Sequence, residues 1–549
     1  MNPLFYESTR GNTESQQASR TILLGMAPGG GLFVPQRFPR VDWRGWLDDG
    51  YAVLAEKIFA LYLTDYSPRV LREASRLYED GRFGGTNPAP LRDLGEGGSA
   101  APRAANSRTS GLGVLELWHG PTAAFKDMAL QVLPRFLTAA GDVGQGARDP
   151  AQRVLILTAT SGDTGKAALE GFKDVPGTEI VVFYPAGGVS PVQERQMVTT
   201  GGSNTHVVAV RGNFDECQSA VKAAFLSEEL REAAAQTGRS FSSANSINWG
   251  RLLPQIVYYV WAYIQAVRRG RVRPGDEMNV VVPTGNFGNI LAAAYARRMG
   301  LPLGRLICAS NRNNVLSDFF GRGAYGSRRA FYLTMSPSMD ILISSNFERY
   351  LFEVSGRDGD RVAAWFAELG RTGCFDAGSE VLARCGEEMW AGWCGEEETL
   401  ASIREVFERY GYVLDPHSAV GYKVYQDYRR CVPEDGRYTV LASTASPFKF
   451  AGSVLKALDP GVQAQDEAGL RQGEASLHQG EASLHQGEAS LYQGEASLYQ
   501  GEDSALERLA ALSGWEIPQC VQGIFAAESG TRSVCSVEGI PDVIRSVLI

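Results

Sequence analysis

Six short apolar runs, separated by helix-patterned segments, constrain this chain more than any other feature. They are Val154-Leu155-Ile156-Leu157, Ile180-Val181-Val182-Phe183-Tyr184, His206-Val207-Val208-Ala209-Val210, Asn279-Val280-Val281-Val282, Arg305-Leu306-Ile307-Cys308-Ala309 and Tyr438-Thr439-Val440-Leu441-Ala442. Apolar strands alternating with helices, here at 166–172 and 290–299, build parallel sheets covered on both faces. The expected class is α/β, in more than one lobe. Residues 1–94 read as mostly helical and compact, with alanine, leucine and aromatics at helical spacing from Trp43 to Tyr78.

The segments between these regions set the expected domain limits. Residues 95–113 are rich in Gly, Ala, Ser and Arg and poor in apolar side chains, which reads as a flexible insert. A loop at 141–150 has similar composition. One α/β lobe is expected over 114–270 and a second over 271–459. An insert at 460–504 carries a tandem heptad from Leu470 to Ser504. A coiled-coil seam needs apolar residues alternately three and four apart. Here Leu470 and Ala475 are five apart, and every repeat contains a glycine, which costs about 1 kcal/mol in a helix. The tract is therefore read as a surface insert without a helical seam. Residues 505–549 are expected to return to the α/β body.

Composition excludes several functions. Lys plus Arg number 53 against 62 Asp plus Glu, a net charge of −9, which opposes binding to nucleic-acid phosphates. No apolar run approaches the roughly 20 residues needed to span a bilayer, and the start has neither a basic n-region nor an apolar h-region. The eight cysteines form no C-x-x-C pair. A reduced, cytoplasmic protein without a metal site is expected.

Three loops follow strands where α/β proteins bind ligands. Ser161-Gly162-Asp163-Thr164-Gly165 fits an anion-binding turn or an ordinary capped turn. It is not a nucleotide P-loop, because Thr160 and Ala167 stand where Gly and Ser/Thr are required. Pro283-Thr284-Gly285-Asn286-Phe287-Gly288-Asn289 lies between a clean strand and a clean helix and favours phosphate at the helix start, without the G-x-G-x-x-G pattern of a dinucleotide site. Ser443-Thr444-Ala445-Ser446-Pro447 fits either a polar contact or a Ser446 helix cap. Lys126 opens an otherwise apolar helix. Such a lysine is either a nucleophile of lowered pKa or a snorkelling charge at a helix end.

Taken together, these segments resemble threonine synthase in its bacterial and fungal branch, a pyridoxal-phosphate enzyme of fold type II, the tryptophan-synthase-β-like fold. The opening Tyr6-Glu7-Ser8-Thr9-Arg10-Gly11, then Gly30-Gly31-Leu32-Phe33-Val34-Pro35, carry part of the resemblance. The most specific match is His119-Gly120-Pro121-Thr122-Ala123-Ala124-Phe125-Lys126-Asp127. The three loops and Asp415-Pro416-His417-Ser418-Ala419-Val420-Gly421 follow in family order, while 95–113, 141–152 and 460–504 look foreign. The resemblance implies two parallel-sheet lobes behind the helical N-terminal region. It makes Lys126 the Schiff-base lysine and assigns Gly285, Asn286, Phe287 and Asn289 to the cofactor phosphate. Thr444 would meet the pyridine nitrogen, and Ser161, Asp163 and Thr164 would grip the substrate carboxylate. Lys166 and Arg251 are candidates for the substrate phosphate or surface charges. The implied reaction converts O-phospho-L-homoserine and water to L-threonine and phosphate in a monomer or homodimer. A phospho-lyase or hydroxyamino-acid dehydratase, and more remotely a non-catalytic scaffold, are the competing readings.

Overall fold

The computed structural model describes residues 3–11, 13–94, 111–141, 153–459, 501–528, 530 and 532–549. All six expected strands form. Met278–Pro283, Leu303–Ser310 and Thr439–Ser443 lie in a six-stranded sheet with Met389–Trp393, Leu112–Glu116 and Leu91–Asp93. Its neighbours are parallel except for Leu91–Asp93, which runs antiparallel to Leu112–Glu116. Arg153–Ala159, Thr178–Pro185 and Thr205–Arg211 lie in a five-stranded parallel sheet closed by Arg239–Ser243 at one edge and Arg532–Ser536 at the other.

The strands without an apolar run have local reasons. Arg239–Ser243, Leu91–Asp93 and Arg532–Ser536 are sheet edges, where one side stays polar, and Arg532–Ser536 is almost wholly exposed; the further edge strand Met389–Trp393 is apolar but is not among the six expected. Leu112–Glu116 is internal, but Gly111 and Gly113 interrupt its pattern. These strands change the expected division of the chain. The sheets do not part at 270/271: Leu91–Asp93 and Leu112–Glu116 join the larger sheet with 278–443, and the C-terminal strand joins the smaller. Residues 112 and 113, expected inside an insert, are strand. Residues 95–110, 142–152 and 460–500 lie outside the described residues; 501–504 are helical.

One helix ties the two sheets together. Trp249–Arg268 is buried at every position from Trp249 to Ala266. A helix buried all round has no solvent face to present, and this one packs against the helices Tyr51–Tyr62 and Gly288–Arg298. Trp249 sits 5.3 Å from the rings of both Tyr6 and Tyr62, which anchors the N-terminal region, itself built of helices and two short strands. The buried Arg349 guanidinium donates to Phe33 O at 2.9 Å and Ile247 O at 2.6 Å, so the same region is also held by charge-assisted hydrogen bonds. No described helix is long and apolar enough to cross a membrane.

Candidate active site

Lys126 leaves the larger sheet at a turn that two hydrogen-bond sets shape. The backbone N–H of Phe125 donates to Thr444 O at 2.8 Å, and Ser446 N–H donates to Ala123 O at 3.0 Å, joining the lysine turn to the 443–447 loop. The buried Asp127 carboxylate accepts from Thr122 N–H and Thr122 Oγ1, both at 2.8 Å. Burial pushes Asp127 up to about 6, against the donors from Thr122. Lys126 stands at the N-terminal edge of the short helix Asp127–Leu130 and is itself 6% exposed.

The Lys126 ammonium lies 3.0 Å from Asp163 Oδ2 and donates to Ser338 Oγ at 3.2 Å. Burial pushes its pKa below the ordinary lysine value; Asp163 opposes this, and the Arg251 and Lys449 cations add to it. Asp163 begins the helix Asp163–Phe172 of the smaller sheet. Its other oxygen, Oδ1, is 2.7 Å from Lys449 Nζ and 2.8 Å from Gln193 Nε2. Burial alone would raise its pKa, but the two ammoniums outweigh burial and hold it well below the carboxylate range.

The 284–289 loop faces the same cleft. Phe287 has a left-handed φ of 64°, which costs roughly 1–2 kcal/mol in a bulky residue. Phe287 is held there by Phe347 and Tyr350, at 5.1 and 5.4 Å between rings. The twist sets the first turn of the helix Gly288–Arg298 against the cleft. Among the described residues, nothing accepts a hydrogen bond from the backbone N–H of Gly285, Asn286, Phe287, Gly288 or Asn289. The side chain of Asn289 is turned by Tyr258 and Tyr259, whose hydroxyls donate to its Oδ1 at 2.6 and 2.5 Å. Its Nδ2 is left buried without a partner among the described residues. A row of orphan donors at a helix N-terminus is an anion cradle.

Ser161, Thr164, Arg251 and Thr444 line this cleft together with Lys126 and 285–289. Arg251 is 4% exposed; it donates to Ala244 O at 2.6 Å and Thr164 Oγ1 at 3.2 Å, and its Nε has no partner among the described residues. Burial pushes it down to about 9. Two expected placements are corrected. Lys166 does not line the cleft: its ammonium is drawn away by Glu170 Oε2 on its own helix at 2.9 Å and by Thr200 Oγ1, beyond the helix Pro191–Val198, at 3.0 Å. Asp163 is not free to grip a carboxylate, since it is itself the carboxylate that the two lysines share.

Three further residues carry no assignment from sequence. Lys449 shows the same signal as Lys126, a lone lysine among apolar residues, in Pro447-Phe448-Lys449-Phe450. His417 lies in the Asp415–Gly421 motif; its Nδ1 is 2.9 Å from Asp415 Oδ1, and its Nε2 accepts from Ser338 N–H at 3.2 Å. Accepting at Nε2 places the ring proton on Nδ1, toward Asp415. Ser338 comes from a loop with no pattern to single it out.

The donor set fits pyridoxal phosphate: a buried lysine amine of lowered pKa in one cleft with orphan N–H groups for a phosphate and the Thr444 side chain opposite. The family described as pyridoxal-phosphate dependent enzyme matches residues 105–444, and the threonine synthase N terminus matches residues 5–76. The chain is 37% identical over 453 residues to human threonine synthase-like 1, covering 80% of this chain and 58% of that protein; it thus spans somewhat over half the length of that relative. It is 37% identical over 461 residues to threonine synthase from Pseudomonas aeruginosa, covering 82% and 90% of the two chains. A crystal structure of threonine synthase from Brucella melitensis with pyridoxal phosphate bound superposes with a TM-score of 0.76 at 32% identity, over 99% of both chains. The chain therefore belongs to the pyridoxal-phosphate-dependent enzymes and, among them, to the threonine synthase family.

Proposed function

We propose that this protein converts O-phospho-L-homoserine and water to L-threonine and phosphate. The observation that carries the reading is the Arg251 cation. It is buried beside Lys126, and no carboxylate among the described residues pairs with it. A buried cation without a counter-ion costs several kcal/mol unless a ligand supplies the charge. A substrate phosphate dianion does so.

Bound pyridoxal phosphate supplies an electron sink for the carbanion formed at the substrate Cα. The chain's own groups do the rest. The 285–289 N–H groups and Asn289 Nδ2 hold the cofactor phosphate, and Thr444 offers a neutral hydroxyl to its ring nitrogen. Ser161 and Thr164, at the start of the Asp163–Phe172 helix, hold the substrate carboxylate. The Lys126 amine takes the Cα proton and then one from Cβ as phosphate leaves Cγ, and it returns protons to Cγ and, after water has added at Cβ, to Cα, with Asp163 and Ser338 holding its position between transfers. Arg251 meets the phosphate as it leaves Cγ, where charge builds up.

Incubation with O-phosphohomoserine while phosphate and threonine are assayed together tests this. Equal release of both is expected. Phosphate with 2-oxobutyrate and no threonine would place the chain with the phospho-lyases or dehydratases instead. Arg251→Gln is expected to lower kcat/KM for the phosphorylated substrate about 10- to 100-fold, the worth of one or two charge-assisted hydrogen bonds. Initial rates check it, and an unchanged kcat/KM removes Arg251 from the anion site.

A further inference from the structure

Across Asp163 from Lys126 lies a second buried lysine, which does not line the cleft, and its geometry is not that of a ligand-binding group. Lys449 lies in the short 3-10 turn Pro447–Phe450 and is 0% exposed, flanked by the buried Phe448 and Phe450. An ammonium in such a place is tolerated only when paired and hydrogen-bonded. Its contacts run to both sides of the cleft. Nζ is 2.7 Å from Asp163 Oδ1, at the start of a helix on the smaller sheet, and donates to Thr122 O at 2.9 Å, in the turn that carries Lys126.

We propose that Lys449 is a positioning residue: by holding one oxygen of Asp163 it leaves Lys126 only a share of that carboxylate, so that the Lys126 amine is oriented without being trapped as an ammonium. The proposal rests on Lys126 being the reacting amine. Two ammoniums face one carboxylate here, one on each oxygen. The other nearby acid, Asp127, already accepts from Thr122 N–H and Oγ1. Among the described residues, the other charged or titratable groups facing this pair include Arg251 on the central helix, His417 on the helix Pro416–Cys431, and Cys520 in the C-terminal segment. When Lys126 carries the cofactor, Asp163 keeps Lys449 as its cation and stays ionised in the buried site.

The sign of the effect follows. Replacing Lys449 by a neutral residue removes a repelling cation and leaves Lys126 as the only ammonium on the carboxylate, whose Oδ1 keeps the neutral Gln193 Nε2 donor. Both changes favour the ammonium form, so the pKa of Lys126 rises and less free amine is present at neutral pH. Arginine keeps the charge and the Lys126 pKa with it.

The full chain, freed of pyridoxal phosphate, is labelled with trace acetic anhydride between pH 6 and 10.5, and the Lys126 peptide is quantified by mass spectrometry. In the wild type the midpoint for Lys126 is expected below the ordinary lysine value of about 10.4. In Lys449→Met it moves up by about one unit, about tenfold slower labelling at pH 8. Lys449→Gln, which keeps a donor for Thr122 O, gives the same shift where the methionine variant does not fold. Lys449→Arg labels within about twofold of the wild type at every pH. A wild-type midpoint at the ordinary value, or a midpoint unmoved or lowered in the neutral variants, overturns the proposal. Those results leave the threonine and phosphate assay untouched, so the two readings fail separately.

Discussion

Lys126→Ala is expected to reduce turnover by at least about 10³-fold, since in the proposed reaction Lys126 is both the nucleophile that carries the cofactor and the base that moves the Cα proton. The fold should survive. Lys126 stands at a helix edge, and its loss relieves the burial of an ammonium that pushes its own pKa down. Asp163 keeps Lys449 at 2.7 Å, so no unpaired carboxylate is left behind. Borohydride reduction followed by peptide mapping gives the independent readout. The wild type should carry a pyridoxyl group on the Lys126 peptide, and the variant should carry none there. A tag on another lysine of the wild type would remove Lys126 from the chemistry.

Gly285→Ala is expected to lower activity by about 10²-fold, the order reached when reacting groups shift by about 1 Å. The reason is space. A Cβ at position 285 would meet Ser338 O at 2.5 Å and Met339 Cα at 3.3 Å, both backbone atoms that cannot rotate away. The clash is with the segment that supplies Ser338 to Lys126 at 3.2 Å, so the proposed phosphate cradle and the lysine are disturbed together. Nor can the 285–289 loop easily retreat, because Gly285 O accepts from Ser344 Oγ at 2.6 Å and Asn286 O accepts from Asn346 N–H at 3.0 Å. Gly321→Ala is the control, since nothing lies within 4 Å of a Cβ placed there. Cofactor affinity and turnover of the two variants, measured side by side, check the argument. Wild-type values in Gly285→Ala would show that the loop tolerates the added carbon.

These two positions also divide what could be read from residue order from what could not. Lys126 and the 283–289 loop stand out locally. A lysine amid apolar residues and a Gly/Asn-rich turn between an apolar strand and a helix are legible because strand and helix burial leave a short-range pattern. The six apolar strands are visible for the same reason, being covered on both faces by helices. Edge strands such as Arg532–Ser536 are not, because one side meets solvent and the pattern dissolves.

Charge partners leave no such trace. Lys166 and Lys449 are both lysines next to apolar residues, yet one is held by Glu170 a turn away on its own helix, and the other crosses 327 positions of chain to reach Thr122. Asp163 reads as part of a substrate loop and proves to be the carboxylate between two lysines. Residue order alone was enough for the α/β class, and it singled out Lys126 and the 283–289 loop as candidates, because each depends on neighbours within about one turn or one strand. Which cations face the cleft, which carboxylate they share and why Gly285 admits no side chain were decided by the docking of the two sheets across Trp249–Arg268, since electrostatic and steric contacts act through space and are indifferent to separation along the chain.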